Sequence, residues 1–352
     1  MKITYMLRRE DFYEINRNTL KRFYNGSTEE KRLYIYPELN AIVTARPSKK
    51  VRQYLYTEFR VNGSALKRLL VRLYATILLN SGGLLASSSL KIRTDADRDT
   101  LIYPCNKKYR VFDFRNNRVS VVAKDGFPQD GLRNEIAFRM CSTAEFVPGL
   151  LDSDENGYSE VIIDGYPVAR AGERMTKLSD CAFGIWTAYI APYTQTIQAR
   201  EYAVILRSKI DQLKLRILDL GKRVNIRRLD ALCDGLLATM NSDPGLIPVS
   251  LSHGDLQPGN IWVENATDKL YIIDWETFER RSIWYDKATL YENLRRSDGI
   301  CRYANCRDLI HVTVLLEDVV FRLAELTELP YDYGCADFDA YLSALQRGSG
   351  DV

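Results

Sequence analysis

Residues 251–276, LSHGDLQPGNIWVENATDKLYIIDWE, constrain the structure of this chain more than any other segment. Their pattern predicts a polar loop followed by two short strands. The Pro258–Gly259 pair lets the loop fold back, so that Asp255 and Asn260 face one space. Asp274 follows the second strand. The segment therefore predicts three oxygen-bearing side chains on a loop and two adjoining strands.

Such a set of side chains suits phosphoryl transfer from ATP. A carboxylate accepts a hydrogen bond from the attacking hydroxyl and takes its proton late, while hard oxygen ligands hold Mg²⁺ against the phosphates. Asn260 offers an amide oxygen and Asp274 a carboxylate, which match a cation that takes few protein ligands and keeps several waters. We therefore expect Asp255 to be the catalytic base, with ATP and Mg²⁺ as cofactors.

The motif HGDLQPGN followed by IIDWE resembles the aminoglycoside phosphotransferase and choline kinase family, a branch of the protein-kinase-like fold. The resemblance implies that Asp255 is catalytic, that Asn260 and Asp274 bind metal, and that His253 is a structural residue of the loop. Asp286, in WYDKATL, matches an aspartate that braces the catalytic loop in this family, and a simple helix N-cap is the alternative.

The resemblance covers roughly residues 99–300 and is weaker in the amino-terminal lobe. It implies that Lys124, at the end of the strand VSVVAK, contacts the ATP phosphates, and that Glu135 positions this lysine by an ion pair. The alternative for Lys124 is a solvated residue at the end of a strand, and the alternative for Glu135 is a residue on the surface of a helix. The hairpin YPCNKKYRV, residues 103–111, lacks the glycine that gives a backbone close access to phosphate, although Lys107 or Lys108 could supply charge there.

The order of strands and helices predicts an α+β chain with two lobes, and the resemblance specifies a bilobal protein-kinase-like fold. We expect a basic N-terminal extension over 1–98, a small β-rich N-lobe over 99–175 and a larger helical C-lobe over 176–352. A β-hairpin is predicted across the turn Asp164–Gly165.

The first 120 residues contain 24 Lys and Arg against 11 Asp and Glu, a balance of +13, although the whole chain is only +3. The helical stretch within this region repeats apolar side chains at three- and four-residue spacing with basic ones between them: Leu66, Leu69, Leu70, Leu73 and Ile77. We favour packing of these side chains on their own domain. The alternative is peripheral contact with an anionic membrane or a glycolipid. No aromatic-basic motif accompanies the charge, so no nucleic acid is expected.

Eleven residues separate Asp274 from Asp286, which leaves little room to grip an extended peptide. A small hydroxyl-bearing acceptor, a sugar or saccharide-containing molecule, is therefore favoured over a protein substrate. A degenerate kinase-fold binding protein is the alternative function. Two sets of side chains suit opposite acceptor charges, one acidic (Asp298, Glu317, Asp318) and one basic (Arg280, Arg281, Arg295, Arg296).

Seven cysteines form no CxxC pair, which favours reduced thiols in a cytoplasmic protein over a disulfide framework. The longest apolar stretches fall short of the roughly 18 residues of a membrane span. The charged start, MKITYMLRRE, is not typical of a secretory signal.

Overall fold

The computed structural model of the protein describes residues 9–58, 65–292, 308–329 and 332–348, together with Leu294 and Tyr303. The chain divides into two compact units. Unit 1 comprises Met1–Ile136 and Gly149–Ile163, and unit 2 comprises Ala137–Pro148 and Asp164–Val352. The described part of unit 1 is rich in strand and that of unit 2 in helix, which confirms the predicted two-lobed α+β class.

The strands of unit 1 form one eight-stranded antiparallel sheet in the order β3-β1-β2-β4-β5-β6-β8-β7. Helix α4 follows β6, and α1 to α3 lie in the amino-terminal part. The elements are α1 (Arg9–Phe23), β1 (Glu30–Tyr36), β2 (Ala41–Val43), α2 (Lys49–Glu58), α3 (Ala65–Asn80), β3 (Ser88–Arg93), β4 (Thr100–Pro104), β5 (Lys108–Asp113), β6 (Arg118–Ala123), α4 (Asp130–Cys141), β7 (Leu150–Ser153) and β8 (Gly157–Val161).

The predicted boundary at residue 98 does not divide the structure. Strands β1, β2 and β3 belong to the same sheet as the later strands, because β2 pairs with β4 through Ile42 opposite Ile102 and Val43 opposite Leu101. The backbone hydrogen bonds between β2 and β4 join the residues before and after position 98 into one unit. The basic region is therefore part of the β-rich unit.

Helix α3 packs on the sheet through a different face from the one predicted. Ala75, Leu78 and Leu79 are buried beside strand residues such as Phe112 and Val119. The apolar side chains that we expected to be packed are instead half or more exposed, at 66% for Leu66, 62% for Leu69, 56% for Leu70, 53% for Leu73 and 52% for Ile77. The favoured packing of this face is therefore wrong.

Unit 2 combines helices with two three-stranded sheets, in the orders β10-β11-β14 and β13-β12-β9. Its elements are β9 (Gly165–Pro167), α5 (Met175–Ile190), β10 (Gln195–Gln198), α6 (Ala199–Asp219), α7 (Ile226–Ser242), β11 (Leu246–Ser252), β12 (Ile261–Glu264), β13 (Leu270–Ile272), β14 (Glu279–Ser282), α8 (Ile283–Tyr291), α9 (Leu309–Glu328) and α10 (Cys335–Gly348).

The hairpin predicted across Asp164–Gly165 is wrong. Strand β8 pairs with β6 and β7 in unit 1, whereas β9 pairs with β12 in unit 2, with Tyr166 opposite Val263. The turn residues therefore mark the point where the chain passes from one unit to the next.

Across the described residues, no helix has the length and apolar character needed to cross a lipid bilayer.

Candidate active site

The loop after β11 is held by the buried carboxylate of Asp286, which is only 3% exposed. Its Oδ1 accepts hydrogen bonds from the Ser252 hydroxyl and the Gly254 backbone N–H, each at 3.0 Å. Its Oδ2 accepts from the His253 backbone N–H at 2.9 Å and from the Trp186 indole N–H at 2.8 Å. These contacts support the predicted role of Asp286 as a brace. The N-cap of α8 is Ser282, so the alternative of a simple helix cap is wrong.

His253 is fully buried and fixes the loop from the other side. Its Nδ1 accepts a hydrogen bond from the Asp255 backbone N–H at 3.3 Å, so its Nε2 carries the proton and donates to the Ile273 carbonyl at 3.0 Å. The ring also lies 4.5 Å from the Trp275 ring, measured between centroids. His253 thereby ties the loop that carries Asp255 to the segment that carries Asp274.

Asp255 and Asn260 are brought together as predicted. The Asn260 side-chain amide donates to the Asp255 backbone carbonyl at 2.8 Å and to the Asp255 carboxylate at 3.1 Å. The Gln257 side-chain amide donates to the other carboxylate oxygen. Because the Asn260 nitrogen is turned to Asp255, its Oδ1 is the atom presented as a cation ligand.

Asp274 lies beside Asn260 at one end of the β12–β13 hairpin. Ile261 pairs with Ile272, and the Ile273 N–H donates to the Asn260 carbonyl at 2.9 Å. Because Asp274 directly follows Ile273, the backbone places it next to Asn260. Asp274 has a φ of +72°, in the left-handed region that non-glycine residues seldom adopt. Such backbone strain clusters at functional sites.

In unit 1, Glu135 pairs with a lysine, but with Lys108 on β5 rather than with Lys124. The Lys108 Nζ lies 3.3 Å from Glu135 Oε2, and the Tyr158 hydroxyl donates to Glu135 Oε1 at 2.9 Å. Both members of the ion pair are buried, with 5% of Lys108 and 1% of Glu135 exposed. The predicted pairing of Glu135 with Lys124 is therefore wrong.

The strand register explains this result. Lys108 pairs with Ala123 and Tyr109 with Val122, so Lys124 follows Ala123 on the same face as Tyr109 and on the opposite face from Lys108. The Lys124 Nζ lies 5.0 Å from the Tyr109 ring centroid. Lys124 is only 5% exposed, and burial lowers the pKa of its amine from the usual 10.5 to about 8.

The acidic residues considered for an acceptor site are used inside unit 2. Glu317 accepts from the Tyr202 hydroxyl at 2.6 Å and from the Ser282 hydroxyl at 2.7 Å. Burial raises the pKa of Glu317 to about 7. Asp318 is fully buried and accepts from the Arg322 guanidinium at 2.7 Å. Neither carboxylate is placed to bind an acceptor.

The two described arginines of the basic set considered for an acceptor site differ in their exposure. Arg281 is buried and pairs with Glu279 at 2.7 Å, while Arg280 is exposed and donates to the Tyr193 carbonyl at 3.1 Å. Asp298, Arg295 and Arg296 lie outside the described residues.

Residues 166–309 match the sequence profile of the phosphotransferase enzyme family. The matched range contains the three predicted active-site residues Asp255, Asn260 and Asp274. This match confirms the predicted resemblance and supports the predicted phosphotransferase class. No curated protein matches its sequence.

Similar solved structures include a choline/ethanolamine kinase family protein from Mesorhizobium loti, at 14% identity and TM-score 0.44, covering 71% of this chain and 86% of that one. An ethanolamine kinase from Plasmodium vivax has 14% identity and TM-score 0.48, covering 86% of this chain and 96% of that one. A thermostable mutant of an aminoglycoside phosphotransferase has 12% identity and TM-score 0.45, covering 72% and 92%. Likenesses this distant indicate no substrate.

Proposed function

We propose that this protein is an ATP- and Mg²⁺-dependent kinase that phosphorylates a hydroxyl of a small acceptor, a sugar or saccharide-containing molecule. The observation that carries the proposal is the joined Asp255–Asn260 pair beside Asp274. The backbone that holds these residues is fixed by buried hydrogen bonds to Asp286 and His253. Pre-organisation of this kind keeps a base and metal ligands in place without cost during the reaction.

The Asp255 carboxylate receives the proton of the acceptor hydroxyl as the new oxygen–phosphorus bond forms and the bond from the γ-phosphorus to the bridging oxygen of ADP breaks. Amide donors from Asn260 and Gln257 hold the two carboxylate oxygens in a fixed direction. Asp255 therefore acts by orienting the hydroxyl and by taking its proton late, when the phosphoryl group has moved.

The donor set at the β12–β13 hairpin suits Mg²⁺. An amide oxygen from Asn260 and a carboxylate from Asp274 are hard ligands, and the ion prefers such oxygens while keeping several waters. When bound, Mg²⁺ neutralises charge on the phosphate oxygens. The left-handed backbone of Asp274 sets the direction in which its carboxylate is presented.

For the phosphate-contacting lysine, we propose Lys108, with Glu135 as its positioning residue. The pair is buried, and the Tyr158 hydroxyl holds the other carboxylate oxygen of Glu135. Lys124 remains the residue predicted from sequence for this contact, and its amine lies on the opposite face of the strand pair. ATP kinetics of the two lysine variants distinguish the two assignments.

A small acceptor is supported by the segment between Asp274 and Asp286. Glu279–Ser282 forms β14 and pairs with β11, and α8 begins at Ile283. One edge of β14 is thus used inside unit 2, and the shortness of the segment favours a small acceptor over an extended peptide. We further propose that the N-terminal region contacts a membrane surface or a glycolipid.

ADP release tests the proposed function against a panel of monosaccharides, saccharide-containing glycolipids, choline, an aminoglycoside and a generic peptide, with and without Mg²⁺. We expect Mg²⁺-dependent turnover with saccharide acceptors. Turnover with the peptide alone would indicate a protein kinase. No turnover together with no ATP-dependent thermal shift would indicate a degenerate binding protein.

A further inference from the structure

Helix α3 exposes a continuous apolar face. Six of its large apolar side chains are half or more exposed and recur at three- and four-residue spacing, and two leucines that follow the helix are also more than half exposed: Leu66, Leu69, Leu70, Leu73, Tyr74, Ile77, Leu84 and Leu85. We call these eight residues the α3 face. Soluble monomers seldom expose large contiguous apolar patches unless the patch binds something.

Helix α3 is anchored through its other side and is not a poorly packed core helix. Ala75, Leu78 and Leu79 point to the sheet from the other side of the helix. The Tyr56 hydroxyl of α2 lies 2.7 Å from the Thr76 hydroxyl of α3, which ties the two helices together. The helix therefore has two apolar faces, one used by the fold and one presented outwards.

Charge indicates what the α3 face binds. Residues 46–72 contain eight Lys and Arg and a single acid, Glu58, and α3 itself contains no acidic residue. Arg46, Lys49, Lys50 and Arg72 are exposed. A leucine-rich face on a helix that carries basic and no acidic residues is the pattern of a helix that lies in the interface of an anionic bilayer.

A second copy of the chain suits this surface less well. A twofold dimer places the same helix on both sides of the interface, so two segments of like positive charge would be brought together. An anionic lipid surface complements both the exposed leucines and the positive charge of residues 46–72.

We propose that α2 and α3 form a peripheral membrane-binding element whose α3 face inserts into the surface of an anionic bilayer. This inference rests on the proposed membrane contact of the N-terminal region and makes it specific. It does not depend on phosphoryl transfer, since α2 and α3 belong to unit 1 and Asp255 to unit 2. It places the protein at a lipid surface, where the hydroxyls of glycolipid headgroups are concentrated.

Co-sedimentation of the full chain with lipid vesicles tests the proposal. One set of vesicles is pure phosphatidylcholine, and the other contains about 30 mol% phosphatidylserine, which gives a negative surface potential. We expect the wild type to bind the anionic vesicles, and the binding to weaken several-fold when salt rises from about 0.1 M to about 0.5 M.

The chain offers a closely matched control. Leu69 and Leu73 on α3 are 62% and 53% exposed, and Leu215 and Leu218 on α6 are 63% and 53% exposed. The double variant Leu69→Glu, Leu73→Glu is expected to lose vesicle affinity by more than about tenfold, since each leucine that leaves the lipid costs roughly that factor. The double variant Leu215→Glu, Leu218→Glu is expected to stay within about twofold of wild type.

Circular dichroism melting and ADP release show whether each variant is folded. If the α3 variant fails to fold, the charge reversal Lys49→Glu, Lys50→Glu replaces it and is expected to lower binding to anionic vesicles. The proposal is overturned if the wild type does not sediment with anionic vesicles at low salt. It is also overturned if the wild type binds neutral vesicles as well as anionic ones, or if the two leucine variants lose vesicle affinity equally. A third contrary result is a wild type that is dimeric and binds no vesicles, and that the α3 variant converts to a monomer.

Discussion

Replacing Lys108 or Lys124 by methionine is expected to change stability in opposite directions. Lys108→Met leaves the buried Glu135 carboxylate without its lysine partner at 3.3 Å. Breaking a buried ion pair from one side costs about 3–5 kcal/mol, since the remaining charge stays buried without its ionic partner. We therefore expect Lys108→Met to lower the free energy of unfolding by about 3 kcal/mol.

Lys124→Met removes a buried amine that has no such carboxylate partner among the described residues. The fall of the Lys124 pKa from 10.5 to about 8 corresponds to about 3 kcal/mol against the charged amine at pH 7. Allowing for relaxation around the site, we expect Lys124→Met to stabilise the protein by about 1–3 kcal/mol at pH 7.

The pH dependence of this gain has a definite sign. Between the folded pKa of about 8 and the unfolded value of 10.5, the unfolded chain binds more protons at Lys124 than the folded chain does. The stability of the wild type therefore rises with pH across this window, and the advantage of Lys124→Met shrinks. Urea unfolding at pH 7 and at the upper end of the window measures both effects.

Steady-state kinetics complete the comparison. We expect Lys108→Met to raise the KM for ATP by about 10–100-fold, because a positioned phosphate contact is lost, and Glu135→Gln to do so more weakly. Lys108→Arg keeps the charge and is expected to restore part of the affinity. The reasoning is refuted if Lys108→Met leaves the KM for ATP unchanged, or if Lys124→Met destabilises the protein at pH 7.

Three further changes test other parts of the account. Asp286→Asn should lower the free energy of unfolding in urea by about 2–4 kcal/mol and lower kcat at least tenfold. The reason is that the substitution disturbs a buried carboxylate that accepts four hydrogen bonds. An unchanged kcat in folded protein would contradict the bracing role of Asp286. Because the pKa of Glu317 is raised to about 7, the folded state binds more protons at this group than the unfolded state does between about pH 4.5 and 7. The stability that this group contributes therefore falls as pH rises through that window, and Glu317→Gln should flatten the slope of stability against pH. An unchanged slope would count against the raised pKa of Glu317. Asp274→Asn should raise the Mg²⁺ concentration needed for the ATP-dependent thermal shift by about tenfold or more, and a titration that overlays the wild type would remove Asp274 from the metal site.

The active-site loop could be predicted from sequence because its geometry depends on neighbours in the chain. Asp255 and Asn260 lie within six residues, and the adjoining hairpin brings Asp274 beside Asn260. A local motif fixes such an arrangement wherever the surrounding fold supports it. The roles assigned to these residues remain predictions that the variants above test.

The lysine partner of Glu135 could not be read from the same kind of pattern. Val121, Val122 and Ala123 are all buried, so β6 is covered on both faces and alternation did not show which face each residue occupies. The ion pair depends on the register between β5 and β6 and on the position of α4. The lysine pair in the glycine-free hairpin was the available signal, and it includes Lys108.

The exposed face of α3 was missed for a related reason. Leucines occur on both sides of the helix, and periodicity indicates an apolar face without saying whether the fold or a partner covers it. Ala75, Leu78 and Leu79 complete the contact with the sheet, which leaves the predicted face outside.

The turnover of Asp255→Ala, measured together with its binding of ATP and Mg²⁺, tests whether Asp255 is the catalytic base. We expect kcat to fall by about 10²–10⁴-fold or more, while the nucleotide-dependent thermal shift stays close to that of wild type. Asp219→Ala, at the exposed end of α6, is the control and should keep full turnover. Turnover of Asp255→Ala within a few-fold of wild type would contradict the assignment of Asp255 as the catalytic base.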